Sequence, residues 1–286
     1  MGPMWRYLRL ARPHFLLGGA LLYALGARFA ASIDVGRYAL GQALVTTVQL
    51  TAHLVNEHYD AEVDRFVHNR TYFSGGSGVI PSGQLPRRSA FVGAVAASAL
   101  ALAGVAATVA ISPLAAALGA IALIVAWSYS APPMRLLGTG WGELVTSVVV
   151  AGLVPLTGAT AQSAALGGFG LATIAALVPL HVAMMLCFEL PDVEGDAAAG
   201  KRVLAVRLGP AAAIRLIALA ATASGATLLV IGLLRGSLFP AIAAAGVELL
   251  AAGVVISSVR RGWWPGVTGG AAFGFLAVAA AAMAGI

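Results

Sequence analysis

Acidic side chains are concentrated in two short segments of a chain that otherwise carries few charges. Asn56, Asp60 and Asp64 follow one another at intervals of four residues, and Asp192 and Asp196 repeat this interval. Residues at this spacing lie on one face of a helix, where like charges destabilise the helix. A shared cation explains the grouping, and oxygen ligands without His or Cys suit a hard ion such as Mg²⁺. The spacing therefore predicts that both segments bind metal.

Basic side chains able to bind phosphate occur in the same parts of the chain. They are Arg65, Arg70, Arg135, Lys201 and Arg202. Arginine forms paired hydrogen bonds with phosphate oxygens, and lysine supplies a mobile point charge. Carboxylates, Mg²⁺ and these cations together predict a binding site for a diphosphate. A diphosphate that carries a hydrocarbon tail would also need an apolar cavity beside this site.

The composition places these segments in a membrane protein. Of the 286 residues, 60% are hydrophobic and only 10% are charged, and the mean hydropathy is +0.92. Apolar runs of about 20 residues recur, and each is long enough to cross roughly 30 Å of hydrocarbon. Gly and Ala fill these runs, as they do where membrane helices pack closely. The sequence therefore predicts an all-α bundle of transmembrane helices and excludes a soluble globular protein.

About nine transmembrane spans are expected, in a single integral-membrane domain that includes residues 1–286. Their approximate limits are 14 to 32, 38 to 56, 90 to 111, 113 to 130, 143 to 162, 165 to 189, 211 to 234, 238 to 257 and 265 to 285. Pro191 is expected to interrupt the sixth span and to leave Asp192 near a helix start. The acidic segments follow the second and the sixth spans, so both lie on the same side of the membrane.

The distribution of basic residues predicts the orientation of the chain. All but three of the 17 Lys and Arg residues fall on the side that carries the N-terminus and both acidic segments, the exceptions being Arg28, Arg37 and Arg235. Basic residues favour the cytoplasmic side, so we expect the N-terminus and the acidic segments there. After nine spans the C-terminus would lie on the opposite side. This bias also explains the net charge of +6 without nucleic-acid binding.

Three patterns in the sequence together resemble a known family. The chain has Asn-x3-Asp-x3-Asp after span two, Asp-x3-Asp after span six, and Tyr129-Ser130-x4-Arg135 after span four. With nine spans, this combination resembles the UbiA superfamily of intramembrane prenyltransferases over nearly the whole chain. The resemblance implies Mg²⁺-dependent transfer of a prenyl group from a polyprenyl diphosphate to an aromatic acceptor, such as a quinone precursor. It also implies a lateral cavity open to the bilayer.

The resemblance assigns the metal ligands to both acidic segments. Asn56, Asp60 and Asp64 would form one set, and Asp192 and Asp196 the other. Two Mg²⁺ ions, bridged by the diphosphate, would stabilise the charge that develops as the allylic C–O bond breaks.

Other matching residues would act on the substrates. Arg70, Arg135 and Lys201 would neutralise the diphosphate, and the ring of Tyr129 would stabilise the allylic cation or position the leaving group. These four residues are the predicted catalytic groups. The predicted substrate-binding residues are Asn56, Arg65, Ser130, Glu189 and Arg202.

Two motifs indicate different branches of the superfamily. The loop from Ser74 to Ile80, and Lys201 within Gly-Lys-Arg-Val-Leu-Ala-Val-Arg-Leu-Gly, are similar to the menaquinone-type branch, which acts on 1,4-dihydroxy-2-naphthoate. Residues 189 to 196, with Glu-Leu-Pro-Asp-Val-Glu-Gly-Asp, are more similar to the homogentisate branch. The sequence therefore leaves the acceptor and the length of the prenyl chain open.

Alternative functions come from other classes of protein. A secondary transporter would place its acids near the middle of the bilayer, whereas here they cluster at one face. A lipid-binding or scaffold protein would not need so many phosphate ligands. A prenyltransferase with a non-aromatic lipid acceptor is a further alternative. We expect no protein partner, and His53, His58 and Glu248 have no assigned role.

Overall fold

The computed structural model describes residues 3–285, and every regular element within that range is helical. The α-helices are α1 (Pro3–Ala11), α2 (Pro13–Ala27), α3 (Val35–Tyr59), α4 (Arg87–Val109), α5 (Pro113–Ser130), α6 (Gly142–Ser147), α7 (Val154–Ala161), α8 (Gly168–Glu189), α9 (Val193–Ala198), α10 (Leu204–Leu208), α11 (Pro210–Arg235), α12 (Leu238–Arg260) and α13 (Trp264–Met283). Short 3₁₀ turns cover Val63–Phe66, Leu136–Thr139 and Leu190–Asp192. The predicted all-α class is confirmed.

The helices correspond to the nine predicted spans, with shifts of a few residues at their ends. Seven segments are long and apolar enough to cross a membrane, namely Arg87–Val109, Pro113–Ser130, Gly142–Ala161, Gly168–Ala198, Pro210–Arg235, Leu238–Arg260 and Trp264–Met283. Helix α2 is apolar but shorter, with 15 residues. Helix α3 has 25 residues and carries more polar side chains. The predicted count of nine spans therefore requires that α2 and α3 also cross the membrane.

Two spans contain breaks that proline explains. The fifth span consists of α6, a π-helical turn at Val148–Leu153 and α7. Pro155 has no N–H to donate to the preceding turn, and a π-helical turn accommodates the missing hydrogen bond. In the sixth span, Pro191 lies in the 3₁₀ turn between α8 and α9. Asp192 therefore stands directly before α9, as the sequence predicted.

Capping residues define where several helices begin and end. The Asp34 carboxylate accepts a hydrogen bond from the Arg37 N–H (3.0 Å) at the start of α3, and Ser112 Oγ accepts one from the Ala115 N–H (3.1 Å) at the start of α5. These caps satisfy donors that have no partner within the helix. Gly236 ends α11 with φ of 69°, a left-handed conformation that glycine adopts readily.

Six helical segments surround a central cavity. Side chains from α2, α3, α5, the α6–α7 segment, α8 and α13 line it. The other long helices lie outside this ring: α4 packs on α3 and α5, α11 packs on α8, and α12 packs on α11 and α13. A large cluster of buried apolar side chains includes Leu22, Tyr23, Leu177 and Phe275, from helices of the ring. The ring brings the C-terminal ends of α3 and α8 to the same end of the cavity.

Helices α2 and α7 approach each other so closely that glycine is required at the contact. A Cβ atom added to Gly26 would overlap the backbone carbonyl of Pro155, and one added to Gly158 would overlap the backbone of Tyr23. Small residues at such positions allow membrane helices to pack backbone to backbone. Because both helices line the cavity, this contact sets the position of one of its walls.

We predict that Gly158→Ala lowers the thermal stability of the purified protein, because the added methyl group forces α2 and α7 apart. Overpacking of this kind costs about 1 to 3 kcal/mol. The matched control is Gly253→Ala on α12, where nothing lies within 4 Å of an added Cβ. Thermal unfolding in detergent should show a lower midpoint only for the Gly158 variant. Equal midpoints would contradict the close α2–α7 contact.

Candidate active site

A cavity of about 330 Å³ extends from the acidic segments into the apolar interior of the bundle. Its polar end is lined by Asn56, Asp60, Asp64, Asp192, Asp196 and Lys201. Its apolar part is lined by residues that include Leu22, Leu44, Gly119, Ala122 and Leu153. The polar head and the hydrocarbon tail of one molecule would therefore each meet a matching surface.

The first acidic segment begins on the last turn of α3 and continues beyond its end. The Asn56 amide donates to Asp60 Oδ2 (2.6 Å) and to Ser130 Oγ (3.2 Å). Asp64 follows in the next 3₁₀ turn and is buried. Asp60 and Asp64 therefore both reach the cavity, while Asn56 holds Asp60 in place and Ser130 supports Asn56 from α5.

The second acidic segment lies at the break between α8 and α9. Asp192 precedes α9 and is buried, and Asp196 lies in the first turn of α9. Ser74 Oγ lies within hydrogen-bonding distance of Asp192 Oδ2 (3.2 Å) and of the Phe188 carbonyl. The glycine-rich loop that contains Ser74 is therefore attached directly to the second acidic segment.

Lys201 joins the two acidic segments. Its Nζ atom lies 3.6 Å from Asp60 Oδ2 and 3.7 Å from Asp196 Oδ1. All three side chains are largely shielded from solvent, so water screens their attraction less than it would at an exposed surface. Lys201 therefore holds carboxylates from α3 and α9 at the same end of the cavity.

The acids outnumber the cations at this end of the cavity, and burial shifts the pKa values of several of these groups. The pKa of Asp64 is raised to about 7, mainly by burial and also by the carboxylates of Asp60 and Glu57, and Lys201 opposes this increase. Burial also raises the pKa of Asp60, although Lys201 opposes the increase. Burial lowers the pKa of Lys201, but Asp60, Asp196 and Asp64 outweigh this effect and raise it overall. The site therefore favours an additional cation.

The glycine-rich loop is anchored at the polar end of the cavity. Glu57 accepts hydrogen bonds from the backbone N–H and from the hydroxyl of Ser77, each at 2.6 Å. Gly76 has φ of 69°, and a Cβ atom there would overlap the Asp64 carboxylate. Gly75 and Gly76 also line the cavity. Glycine therefore allows the loop backbone to pass directly beside the acids.

Arg70, predicted to contact the diphosphate, instead supports this loop from behind. Its Nη2 atom donates to the backbone carbonyl of Asp64 (2.8 Å), and its guanidinium group packs against Gly78. Arg70 is not among the residues that line the cavity. Arg70 therefore helps to position the loop, because its guanidinium group already contacts Gly78.

Three other predicted phosphate ligands also lie outside the cavity lining. Arg65 is exposed and forms an ion pair with exposed Glu62 (3.2 Å). Arg135 is exposed in a left-handed turn with φ of 43°, although its charge still lowers the pKa of Asp60. Arg202 is exposed, directly after Lys201. The structure therefore does not bring these three cations to the cavity lining, because their side chains face solvent.

Arg12 reaches the site although the sequence analysis assigned it no role there. Its Nη1 atom donates to Asn56 Oδ1 (3.4 Å) and lies 3.9 Å from Glu57 Oε1. Arg12 also lines the cavity. In the sequence it counts only as a basic residue near the N-terminus.

Aromatic side chains form part of the cavity wall near the acids. Phe73 and Phe188 are stacked with ring centroids 5.8 Å apart, and His14 and Phe15 lie 4.4 Å apart. All four line the cavity, as does His53. Aromatic rings pack favourably against other planar rings, so this wall suits a planar group.

Tyr129 and Glu189 were also predicted site residues, and both line the cavity. Glu189 is buried at the end of α8, and its Oε2 atom accepts the Ala205 N–H (3.1 Å). The structure therefore brings eight predicted residues to the cavity lining: Asn56, Asp60, Asp64, Tyr129, Glu189, Asp192, Asp196 and Lys201.

The donor set fits a metal that is completed by its substrate. Within residues 3–285, no group of three or more His, Cys, Asp or Glu side chains is placed to hold a metal alone. Each acidic segment instead supplies two carboxylates. Mg²⁺ commonly binds one or two carboxylates and completes its coordination with water and substrate phosphates. The residues present therefore fit a substrate-assisted Mg²⁺ site.

Comparison with known proteins gives three informative matches besides the family itself. Residues 15–261 match the UbiA prenyltransferase family. Digeranylgeranylglyceryl phosphate synthase from Methanopyrus kandleri is 32% identical over 216 residues, 74% of this chain and 73% of that protein. The bacteriochlorophyll synthase 33 kDa chain from Cereibacter sphaeroides is 33% identical over 147 residues, 48% of this chain and 45% of that protein. A UbiA homologue from Archaeoglobus fulgidus bound to DMAPP and Mg²⁺ superposes with a TM-score of 0.73 and 22% identity, over 98% of this chain and 100% of that one.

The chain belongs to the UbiA prenyltransferase family. It is an integral, multi-pass membrane enzyme that transfers prenyl groups. The family resemblance in the sequence is therefore confirmed, and the enzyme is favoured over the transporter and the lipid-binding protein. The named relatives come from different branches of the family, so neither of them identifies the acceptor of this enzyme.

We predict that Glu57→Ala loosens the glycine-rich loop, because it removes both hydrogen bonds to Ser77. A hydrogen bond to a charged group contributes about 1.5 to 3 kcal/mol. The matched control is Glu62→Ala, which removes only the exposed ion pair with Arg65, worth about 0 to 1 kcal/mol. Hydrogen exchange of the protein in detergent should be faster at residues 74–80 in the Glu57 variant alone. The same protection in both variants would show that Glu57 does not anchor the loop.

Proposed function

We propose that this chain acts as a single domain that transfers a prenyl group from a polyprenyl diphosphate to an aromatic acceptor, with Mg²⁺ as its cofactor. The observation that carries the proposal is the position of both acidic segments and Lys201 at the polar end of one apolar cavity. A diphosphate requires the charged end, and an isoprenoid chain requires the apolar part. The homologue from Archaeoglobus fulgidus that binds DMAPP and Mg²⁺ supports both the donor class and the metal.

The residues that would hold two Mg²⁺ ions are Asp60 and Asp64 for one, and Asp192 and Asp196 for the other. When bound, the ions would supply Lewis-acid stabilisation of the charge that develops on the departing diphosphate. Asn56 is better placed to position Asp60 than to bind metal itself, because its amide group donates to that carboxylate. Its oxygen is already engaged by Arg12.

Other side chains of the cavity would act directly on the donor. Lys201 would donate N–H groups to the diphosphate, since it lies between the two acidic segments. Arg12 would add a second positive charge at the same end. Tyr129 would stabilise the allylic cation with its ring face. The apolar lining would limit the access of water, which captures this cation as an alcohol when no acceptor reacts.

The aromatic wall of the cavity supports an aromatic acceptor. The rings of Phe15, Phe73 and Phe188 lie near the acids, where a planar acceptor would meet the allylic carbon. A second candidate is a lipid acceptor, and the similarity to digeranylgeranylglyceryl phosphate synthase favours it. A labelled prenyl diphosphate offered with 1,4-dihydroxy-2-naphthoate, with homogentisate or with a glycerol phosphate lipid would separate these candidates. The mass of the labelled product identifies the acceptor.

We predict that Asp60→Ala and Asp192→Ala each lower turnover by about a hundredfold or more, because each removes a ligand of the metal that stabilises the leaving group. The matched control is Glu194→Ala, an exposed acid on α9 that does not line the cavity. Release of diphosphate from a prenyl diphosphate, measured in detergent at several Mg²⁺ concentrations, checks the effect. Near-normal turnover in either aspartate variant would remove that acid from the metal site.

We also propose that the N-terminus and the acidic segments face the cytoplasm and that the C-terminus lies on the opposite side. An accessible-cysteine probe introduced at each end of a Cys187→Ala background should therefore be labelled from opposite sides of the membrane, because nine spans separate the ends. Labelling of both ends from one side would show an even number of spans.

A further inference from the structure

Two buried glutamates bind neighbouring backbone N–H groups beside the cavity. Glu143 lies in the first turn of α6 and is fully buried, and Glu189 is the last residue of α8. One oxygen of Glu143 accepts the Leu204 N–H (2.9 Å), and one oxygen of Glu189 accepts the Ala205 N–H (3.1 Å). Each carboxyl group therefore has one oxygen bound to the start of α10.

The second oxygen of each carboxyl group is buried without a partner. Within residues 3–285, Glu143 Oε2 and Glu189 Oε1 have no hydrogen-bond partner. A carboxylate can only accept hydrogen bonds, whereas a protonated carboxyl group can also donate one. The free oxygen of Glu189 is therefore suited to take up a proton.

Glu189 connects this pair to the cavity, which it lines together with Tyr129. Tyr129 lies within electrostatic range of Glu143, Glu189 and Asp60. The ionisable groups that face Glu189 are Glu143 from α6, Tyr129 from α5 and Asp196 from α9. Glu189 therefore lies near the reacting groups, and its carboxylate is hydrogen-bonded to the Ala205 N–H and not to the acids proposed to bind metal.

We infer that Glu189, supported by Glu143, removes the proton that the acceptor loses during prenyl transfer. This inference rests on the proposed function. The allylic C–O bond breaks, and its electron pair leaves with the diphosphate. An electron pair of the acceptor forms the new bond to the allylic carbon, and the proton on the alkylated carbon or oxygen atom moves to the Glu189 carboxylate. Release of this proton to water at the polar end of the cavity restores the pair.

The surroundings of the pair favour uptake of a proton. Before transfer the Glu189 carboxylate carries a negative charge in a buried position, and after transfer this carboxyl group is neutral. Burial disfavours the charged form, so proton uptake removes an unfavourable buried charge. The role is independent of the acceptor class, because an aromatic ring and a lipid hydroxyl group each lose one proton when they are alkylated.

A purely structural role of the pair predicts a different outcome. Glu143 and Glu189 bind the start of α10, which follows the loop that carries Lys201. If the pair serves only to hold this loop, its loss should displace Lys201 and weaken binding of the donor. If Glu189 is the base, its loss should leave the donor half of the reaction intact and impair only transfer to the acceptor.

The test compares Glu189→Gln with wild type in the full-length protein in detergent, using labelled prenyl diphosphate, Mg²⁺ and either 1,4-dihydroxy-2-naphthoate or a glycerol phosphate lipid. Glutamine keeps the shape and can still accept the Ala205 N–H, but it takes up no proton. We expect about a hundredfold slower prenylation of the acceptor, with unchanged donor affinity and continued release of diphosphate as water captures the cation. The control Glu194→Gln, the same change at an exposed position of α9, should behave as wild type.

Two results would overturn the inference. One is normal prenylation by Glu189→Gln, and the other is a parallel loss of donor binding, diphosphate release and prenylation. A wild-type protein that releases no diphosphate would instead refute the proposed function. If Glu189→Gln fails to fold, Glu143→Gln provides the test: it should shift the pH at which prenylation declines without changing donor affinity. A pH profile identical to that of wild type would also overturn the inference.

Discussion

The arrangement of the bundle depends on balancing the negative charge of four carboxylates, which the fold brings together at the edge of an apolar interior. Lys201 makes this possible, because its ammonium group lies between Asp60 and Asp196 at 3.6 and 3.7 Å. Removing one partner from a buried ion pair leaves an unbalanced charge and costs about 3 to 5 kcal/mol. Since the acids follow α3 and α8, these two helices must end beside each other. The polar end of the cavity is a consequence of that pairing.

The surrounding residues hold this charged end in one geometry. Asn56 orients Asp60, Glu57 binds the glycine-rich loop through Ser77, and Arg70 supports the same loop from outside the cavity. Each of these three contacts joins groups of the protein itself. The close α2–α7 packing sets one wall of the apolar part in the same way. The site therefore combines a charged end and an apolar part that are both held by contacts within the protein, which limits the reorganisation needed for reaction.

The cations show most clearly where reasoning from sequence succeeds and where it fails. Lys201 was predicted to meet the site and does line the cavity, whereas Arg65, Arg135 and Arg202 are exposed. All four lie in loops at the same end of the bundle, and the order of spans in the sequence predicts this shared end. The direction of a long side chain in a loop does not, because it is decided by contacts with residues far away in the chain.

The sequence by itself determined the helical class, the approximate limits of the spans and the acids that meet at the cavity. These properties depend on local quantities: the length of an apolar run, and the spacing that places residues on one face of a helix. Only the tertiary structure decided the proximity of Glu143 to Glu189 and the reach of Arg12 into the site. Each of these contacts joins residues that are more than forty positions apart, and the packing of separate helices brings them together. Such contacts leave no local pattern, because burial and pairing depend on the neighbours that the fold supplies.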